Sequence, residues 1–188
     1  MANIETFFHG LMASDSVKAD LRSIKFQKDS AYAEIHDGAL VKLGELAPNA
    51  VYGAQNKDYN TYLATAPTAD TDKVAIVDLS EVSQGTIAGN VYKIGIKQVG
   101  LKCAAGYPAR VRFLKEHDMF WISGDCFTGD PVKGQYAVPT ANDTDFTPTA
   151  VAAQDKLCVK IQEVKDFTVG AGVAGQGRTG KLYLCEVL

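Results

Sequence analysis

The chain has 188 residues, 46% of them hydrophobic and 22% charged, with 19 basic and 22 acidic side chains for a net charge of −3. That size suits one domain, or one domain with an arm, and buries enough surface to hold a core without covalent staples. No face or run is strongly basic, so the clustered Lys and Arg that phosphate contacts need are missing and no nucleic-acid partner is expected. No apolar stretch approaches the ~18 residues that span a bilayer. Met1-Ala-Asn-Ile-Glu-Thr-Phe-Phe-His-Gly lacks the early positive charge of a secretory signal, so no membrane role is expected.

Residues 1–30 differ from the rest. They hold few β-branched residues and no Pro, with apolar positions spaced along them. Ile4, Phe8, Leu11 and Met12 fit one helical face. Ser14 or Asp15 would cap a second short helix running to about Ile24, and His9-Gly10 breaks the pattern between them. This reads as a partly helical N-terminal arm. Exposed Phe and Leu on such an arm need a surface to lie on, either their own domain or a neighbouring subunit. Ile4, Phe7, Phe8, Leu11 and Met12 are the candidate partner-binding residues.

From residue 31 to 188 the texture changes to a β domain. Short apolar runs occupy 39–43, 51–52, 59–63, 74–79, 91–99, 109–114, 119–123, 135–138, 157–164 and 181–187. Several alternate with Lys and Arg, as half-buried strands do. Turn chemistry separates them, including Asp37-Gly38, Gly106-Tyr107-Pro108 and Thr128-Gly129-Asp130-Pro131. About ten short strands with such punctuation read as a β-sandwich or small β-barrel. The polar stretches 56–72 and 139–154 read as long surface loops.

Four candidate chemistries are weaker than their structural alternatives. Gly170-Ala171-Gly172-Val173-Ala174-Gly175 matches a dinucleotide-binding glycine pattern, but no helix and no distal acid follow, so a hairpin loop fits better. Asp70/Asp72 and Asp143/Asp145 are D-x-D pairs that supply too few oxygens for calcium. His117-Asp118 reads as a turn before a strand rather than an acid–base pair. Trp121, Phe120, Tyr136 and Tyr107 could stack on sugar, though a Phe-Trp pair in a strand more often divides between core and edge. Cys103, Cys126, Cys158 and Cys185 lack the tight spacing of zinc ligands and read as small buried hydrophobes in a reducing cytoplasm, with a disulfide as the alternative. No catalytic residue, cofactor or metal is expected.

The order of phrases from Asp37-Gly38-Ala39-Leu40-Val41-Lys42-Leu43-Gly44 through Val74-Ala75-Ile76-Val77-Asp78 and Tyr107-Pro108-Ala109-Arg110-Val111-Arg112-Phe113-Leu114 forms a pattern. It continues with Gly124-Asp125-Cys126-Phe127-Thr128-Gly129-Asp130-Pro131 and Val132-Lys133-Gly134-Gln135-Tyr136-Ala137-Val138-Pro139. It resembles the capsid decoration, or cement, proteins of tailed bacteriophages. The resemblance covers residues 31–188 and carries no active-site residues. It implies a virion protein made in the bacterial cytoplasm, which binds the major capsid protein on the outside of the head and self-associates there, a trimer among the forms. Another β-rich virion part, such as a tail tube or head fibre, and a carbohydrate-binding or adhesion β-module are the alternatives. A hydrolase would need a pocket of perturbed titratable groups.

Overall fold

The computed structural model describes residues 9–11, 21–49, 53–68, 73–79, 84–87, 90–93, 102–169 and 178–188. In chain order the strands are β1 (His9–Leu11), β2 (Leu21–Lys28), β3 (Ala31–Tyr32), β4 (Ile35–His36), β5 (Leu40–Asn49), β6 (Gly53–Thr65), β7 (Val74–Val77) and β8 (Gln84–Ile87). They continue as β9 (Asn90–Lys93), β10 (Lys102–Cys103), β11 (Ala109–Phe113), β12 (Met119–Ser123), β13 (Tyr136–Pro139), β14 (Phe146–Thr149), β15 (Val159–Val169) and β16 (Arg178–Val187). A 3-10 turn over Gly124–Cys126 follows β12. The chain is mainly β, as its punctuated apolar runs imply.

Five strands close a barrel in the order β11-β7-β5-β6-β2, with β2 pairing back onto β11. The β2–β6 pair is parallel and the other four pairs are antiparallel. Alternate residues point inward, and Ile24, Phe26, Val41, Ala64, Ala75, Val77, Ala109 and Val111 form one buried cluster. So few strands leave a narrow bore. Its ladders set large beside small: Ile24 with Ala109, Phe26 with Ala64, Val41 with Ala75. β3 extends β2 through a two-residue turn in which Asp29 and Ser30 both take positive φ, 51° and 65°. That turn geometry matches the right-handed twist of the strands it joins.

The second layer is a sheet in the order β1-β12-β16-β15-β13-β14. β7 lies between the layers, and all four of its residues are buried. A strand covered on both faces reads as a continuous apolar run rather than an alternation. Ala75 and Val77 turn into the barrel, whereas Val74 and Ile76 join Leu40 in a separate cluster beneath the sheet. Phe120, Ile122, Ile161, Tyr183 and Cys185 supply the sheet's side of that cluster. The Phe127 ring lies 5.7 Å from Phe146 and 5.1 Å from Tyr183. Each large side chain fully buried here contributes about 1.5–3 kcal/mol through removal of apolar surface from water.

Three sequence expectations change. Residues 21–24 do not end a helix; they begin barrel strand β2, where Ile24 and Phe26 are core and Lys25 and Gln27 are not. Apolar residues at 21 and 24 fit a helical period, but the 24/26 alternation is the one the barrel uses. Barrel strand β2 thus begins at Leu21, inside the stretch 1–30 read as the arm. Residues 1–8 and 12–20, with the expected helical face and the cap at Ser14 or Asp15, lie outside the described residues. The expected loop 56–72 is strand as far as Thr65, and the expected loop 139–154 contains β14. β14 is an edge strand, the setting in which Pro148 is tolerated.

Candidate interaction surface

The β15–β16 hairpin is longer than the sheet that holds it. β12 pairs with β16 over residues 119–123 and 182–186, and β13 pairs with β15 at Val159 and Lys160. Beyond them the β15–β16 ladder continues through Asp166↔Lys181, Phe167↔Gly180, Thr168↔Thr179 and Val169↔Arg178. No third strand pairs with this part among the described residues. At ~3.4 Å per residue those four pairs carry a two-stranded ribbon roughly 13 Å past the sheet. Opposite charges face each other at Asp166 and Lys181, and Phe167 stands beside a glycine that leaves room for a ring. A ribbon with no third strand among the described residues presents open backbone edges, which suits it to pair with or insert into another surface.

A second ladder behaves similarly. Among the described residues β5 pairs with β7 over residues 40–42, and β6 pairs with β2 over residues 61–64. Beyond these the two strands run on together to Asn49↔Gly53, with register shifts along the way. Those irregularities fit a segment that is not held flat by neighbours.

Of the candidate partner-binding residues, Ile4, Phe7, Phe8 and Met12 lie outside the described residues. Leu11 is in β1, which adds to the edge of β12 with Leu11 opposite Phe120 and Gly10 opposite Trp121. The arm thus reaches the sheet, while the next described strand, β2, belongs to the barrel.

The four aromatic residues considered for sugar stacking do not form one platform. Phe120 is core; Trp121, its neighbour, takes the opposite face, with Lys165 Nζ 4.8 Å from its ring centroid. Tyr136 is three strands away in the sheet order, at least about 14 Å at ~4.8 Å per strand. Tyr107 is 68% exposed in the loop before β11. Gly106, beside it, packs near Tyr32.

Other singled-out groups have structural surroundings. Asp70 and Asp72 lie outside the described residues, as do Gly170–Gly175; the strands on either side of that glycine run are antiparallel neighbours. His117 takes a positive φ of 71°, and the Asp118 carboxylate accepts the Lys115 N–H at 2.8 Å, closing the turn before β12. All four cysteines are free; Cys126, Cys158 and Cys185 are buried. Burial pushes the Cys126 thiol well up, with Asp145 adding to the effect, and burial alone raises Cys185 and Cys103. Among the described residues no group of three His, Cys, Asp or Glu side chains is arranged to hold a metal ion. No helix among them is long and apolar enough to cross a membrane.

One titratable pair was invisible in the sequence. A cleft of about 370 Å³ runs between the end of the barrel and the loop 140–145, lined by Lys28, Glu34, His36, Thr68, Asn142 and Asp143 among others. Behind it, His36 Nε2 stands 3.7 Å from Asp145 Oδ1. Burial, reinforced by Asp143 and Asp125, pushes the Asp145 carboxyl up to about 6. The two residues are far apart in the chain, and the fold brings them together by setting β4 against the loop before β14.

No protein-family model matches this chain, and neither does any curated protein or solved structure.

Proposed function

We propose that this protein is a non-enzymatic structural component that binds the outside of a tailed-phage capsid and stabilises the head. The observation that carries the reading is the β15–β16 ladder, which among the described residues outlasts the strands beside it by four residue pairs. A rigid two-layer body with a projecting ribbon and an N-terminal strand on a sheet edge suits a protein that bridges neighbouring subunits. A ligand that binds only the assembled lattice stabilises that lattice by mass action. Several modest contacts per copy add through effective concentration rather than through one deep site. The major capsid protein is the partner in this reading, with self-association on the lattice and a virion location.

The test is co-sedimentation of the purified chain with empty heads, followed by electron microscopy. Saturable binding in fixed ratio to the capsid lattice is the expected result. Rings or tubes formed by the chain alone, with no binding to heads, would replace this reading with that of a tail-tube part.

A further inference from the structure

The ring of His36 has its Nδ1 3.0 Å from the backbone oxygen of Asp37. A carbonyl only accepts, so Nδ1 carries the proton in that bond, and neutral His36 leaves Nε2 as an acceptor. Nε2 faces Asp145 Oδ1, a buried oxygen that makes no hydrogen bond. At 3.7 Å the two groups form an ion pair rather than a hydrogen bond, and they attract only when the pair carries a proton.

We propose that one proton carried by the His36–Asp145 pair latches loop 140–145 onto β4, and that the loop loosens when this proton leaves. Backbone bonds also hold the loop: the Leu40 N–H donates to the Thr144 carbonyl at 2.7 Å, and the Asn142 N–H donates to the Pro67 carbonyl. The latch adds a side-chain link between β4 and this loop. The charged groups around Asp145 are His36 on β4, Asp125 in the 3-10 turn and Asp143 in its own loop. Asp37 follows His36, and its carboxylate is turned to the Leu79 N–H at 2.9 Å, while the Cys126 thiol donates to its carbonyl. With His36 neutral, ionised Asp145 would meet only acidic neighbours and an imidazole lone pair.

The direction follows from the raised carboxyl. A proton held more tightly in the folded state contributes stability that is full below the ordinary carboxyl value of 3.8 and is lost as pH rises through about 6. The experiment is amide hydrogen exchange at Leu40 and Asn142 in the full chain, corrected for intrinsic rates, from about pH 5 to about pH 8. Protection in the wild type falls about tenfold, the size of one hydrogen bond. Asp145→Asn replaces the shared proton by a permanent amide donor and keeps protection within about twofold over the same range. Asp143→Asn, which removes a like charge while leaving the pair intact, moves the wild-type midpoint to lower pH. Equal pH responses in wild type and Asp145→Asn would overturn the proposal. So would a midpoint unmoved by Asp143→Asn, which keeps the test decisive if Asp145→Asn does not fold.

Discussion

Leu40 and Ile76 face each other across the β5–β7 ladder, and both turn away from the barrel bore into the core beneath the second sheet. Their flanking residues Val41 and Ala75 make the adjacent pair and turn the other way, into the barrel. One ladder therefore serves two cores, and the join between layers is built from side chains rather than from a linker.

Substitution at that join should cost more than its local volume suggests. Leu40→Ala and Ile76→Ala each remove a fully buried side chain, and each is expected to destabilise by about 2–5 kcal/mol. Because the two residues touch a shared space, the double variant should fall short of the sum by at least about 0.5 kcal/mol. Urea unfolding of the four proteins in the cycle measures this; strict additivity would mean that the two cavities do not communicate.

Gly38 and Gly134 separate backbone strain from packing. Both have positive φ, 80° and 85°. A Cβ on Gly134 would meet nothing within 4 Å, whereas one on Gly38 would lie 3.2 Å from the Cys126 sulfur and 3.4 Å from Ile122. Gly134→Ala should therefore cost only the left-handed strain, about 1–2 kcal/mol. Gly38→Ala adds a clash inside a packed core and should lower the melting temperature clearly further. Equal losses at the two sites would show that the core under Gly38 yields easily.

Much of the fold was legible because buried strands carry their own signature. The run 119–123 was read as a strand at the bounds β12 takes, and 109–114 and 74–79 differ from β11 and β7 only at their ends. β6 was legible only in the run 59–63, because its first half, with Asn56, Lys57 and Asp58, lacks the apolar alternation by which a strand is recognised. β2 was missed because its first apolar residues suit two periods, and closure of a parallel pair with β6 is a long-range event that no local pattern encodes. His36 and Asp145 were individually visible as a histidine and half of a D-x-D pair. Their meeting depends on how β4 packs against the loop before β14, so this pair was not legible, whereas the β15–β16 hairpin was, through the runs 157–164 and 181–187 and the glycine loop between them.

Tyr183 offers a test of the second core. Its side chain is fully buried, and its hydroxyl oxygen has no hydrogen-bond partner. A desolvated hydroxyl without a partner opposes folding, so Tyr183→Phe keeps the ring against Phe127 and removes the cost. Stability should rise by about 1 kcal/mol. A loss of similar size, measured by thermal unfolding, would reveal a partner for the hydroxyl in solution.

The thiols should react in an order set by burial. Cys126 and Cys185 are fully buried with their thiols held above the ordinary range, so the nucleophilic thiolate is scarce and shielded. Cys158 is also buried, while Cys103 is only partly covered. An aromatic disulfide reagent near neutral pH should modify one thiol quickly and the other three at the rate of unfolding. Mass mapping should place the fast adduct on Cys103, and rapid labelling of Cys126 or Cys185 would contradict the packing of the second core.

Truncation from the N-terminus should show two thresholds. Removing residues 1–20 takes away β1, whose three pairs on β12 are an edge addition, and leaves every barrel strand. The shortened protein should keep a cooperative thermal transition and the circular dichroism of a β fold, and under the proposed function it should bind heads more weakly. Removing residues 1–26 deletes Ile24 and Phe26 from the barrel core and opens the ring between β11 and β6. Two large buried side chains at about 2–5 kcal/mol each, with two strand pairings lost besides, match the total stability of a typical domain, about 5–15 kcal/mol, so this chain should not fold. If it did fold, β2 would be dispensable and the barrel would not be a closed structural unit.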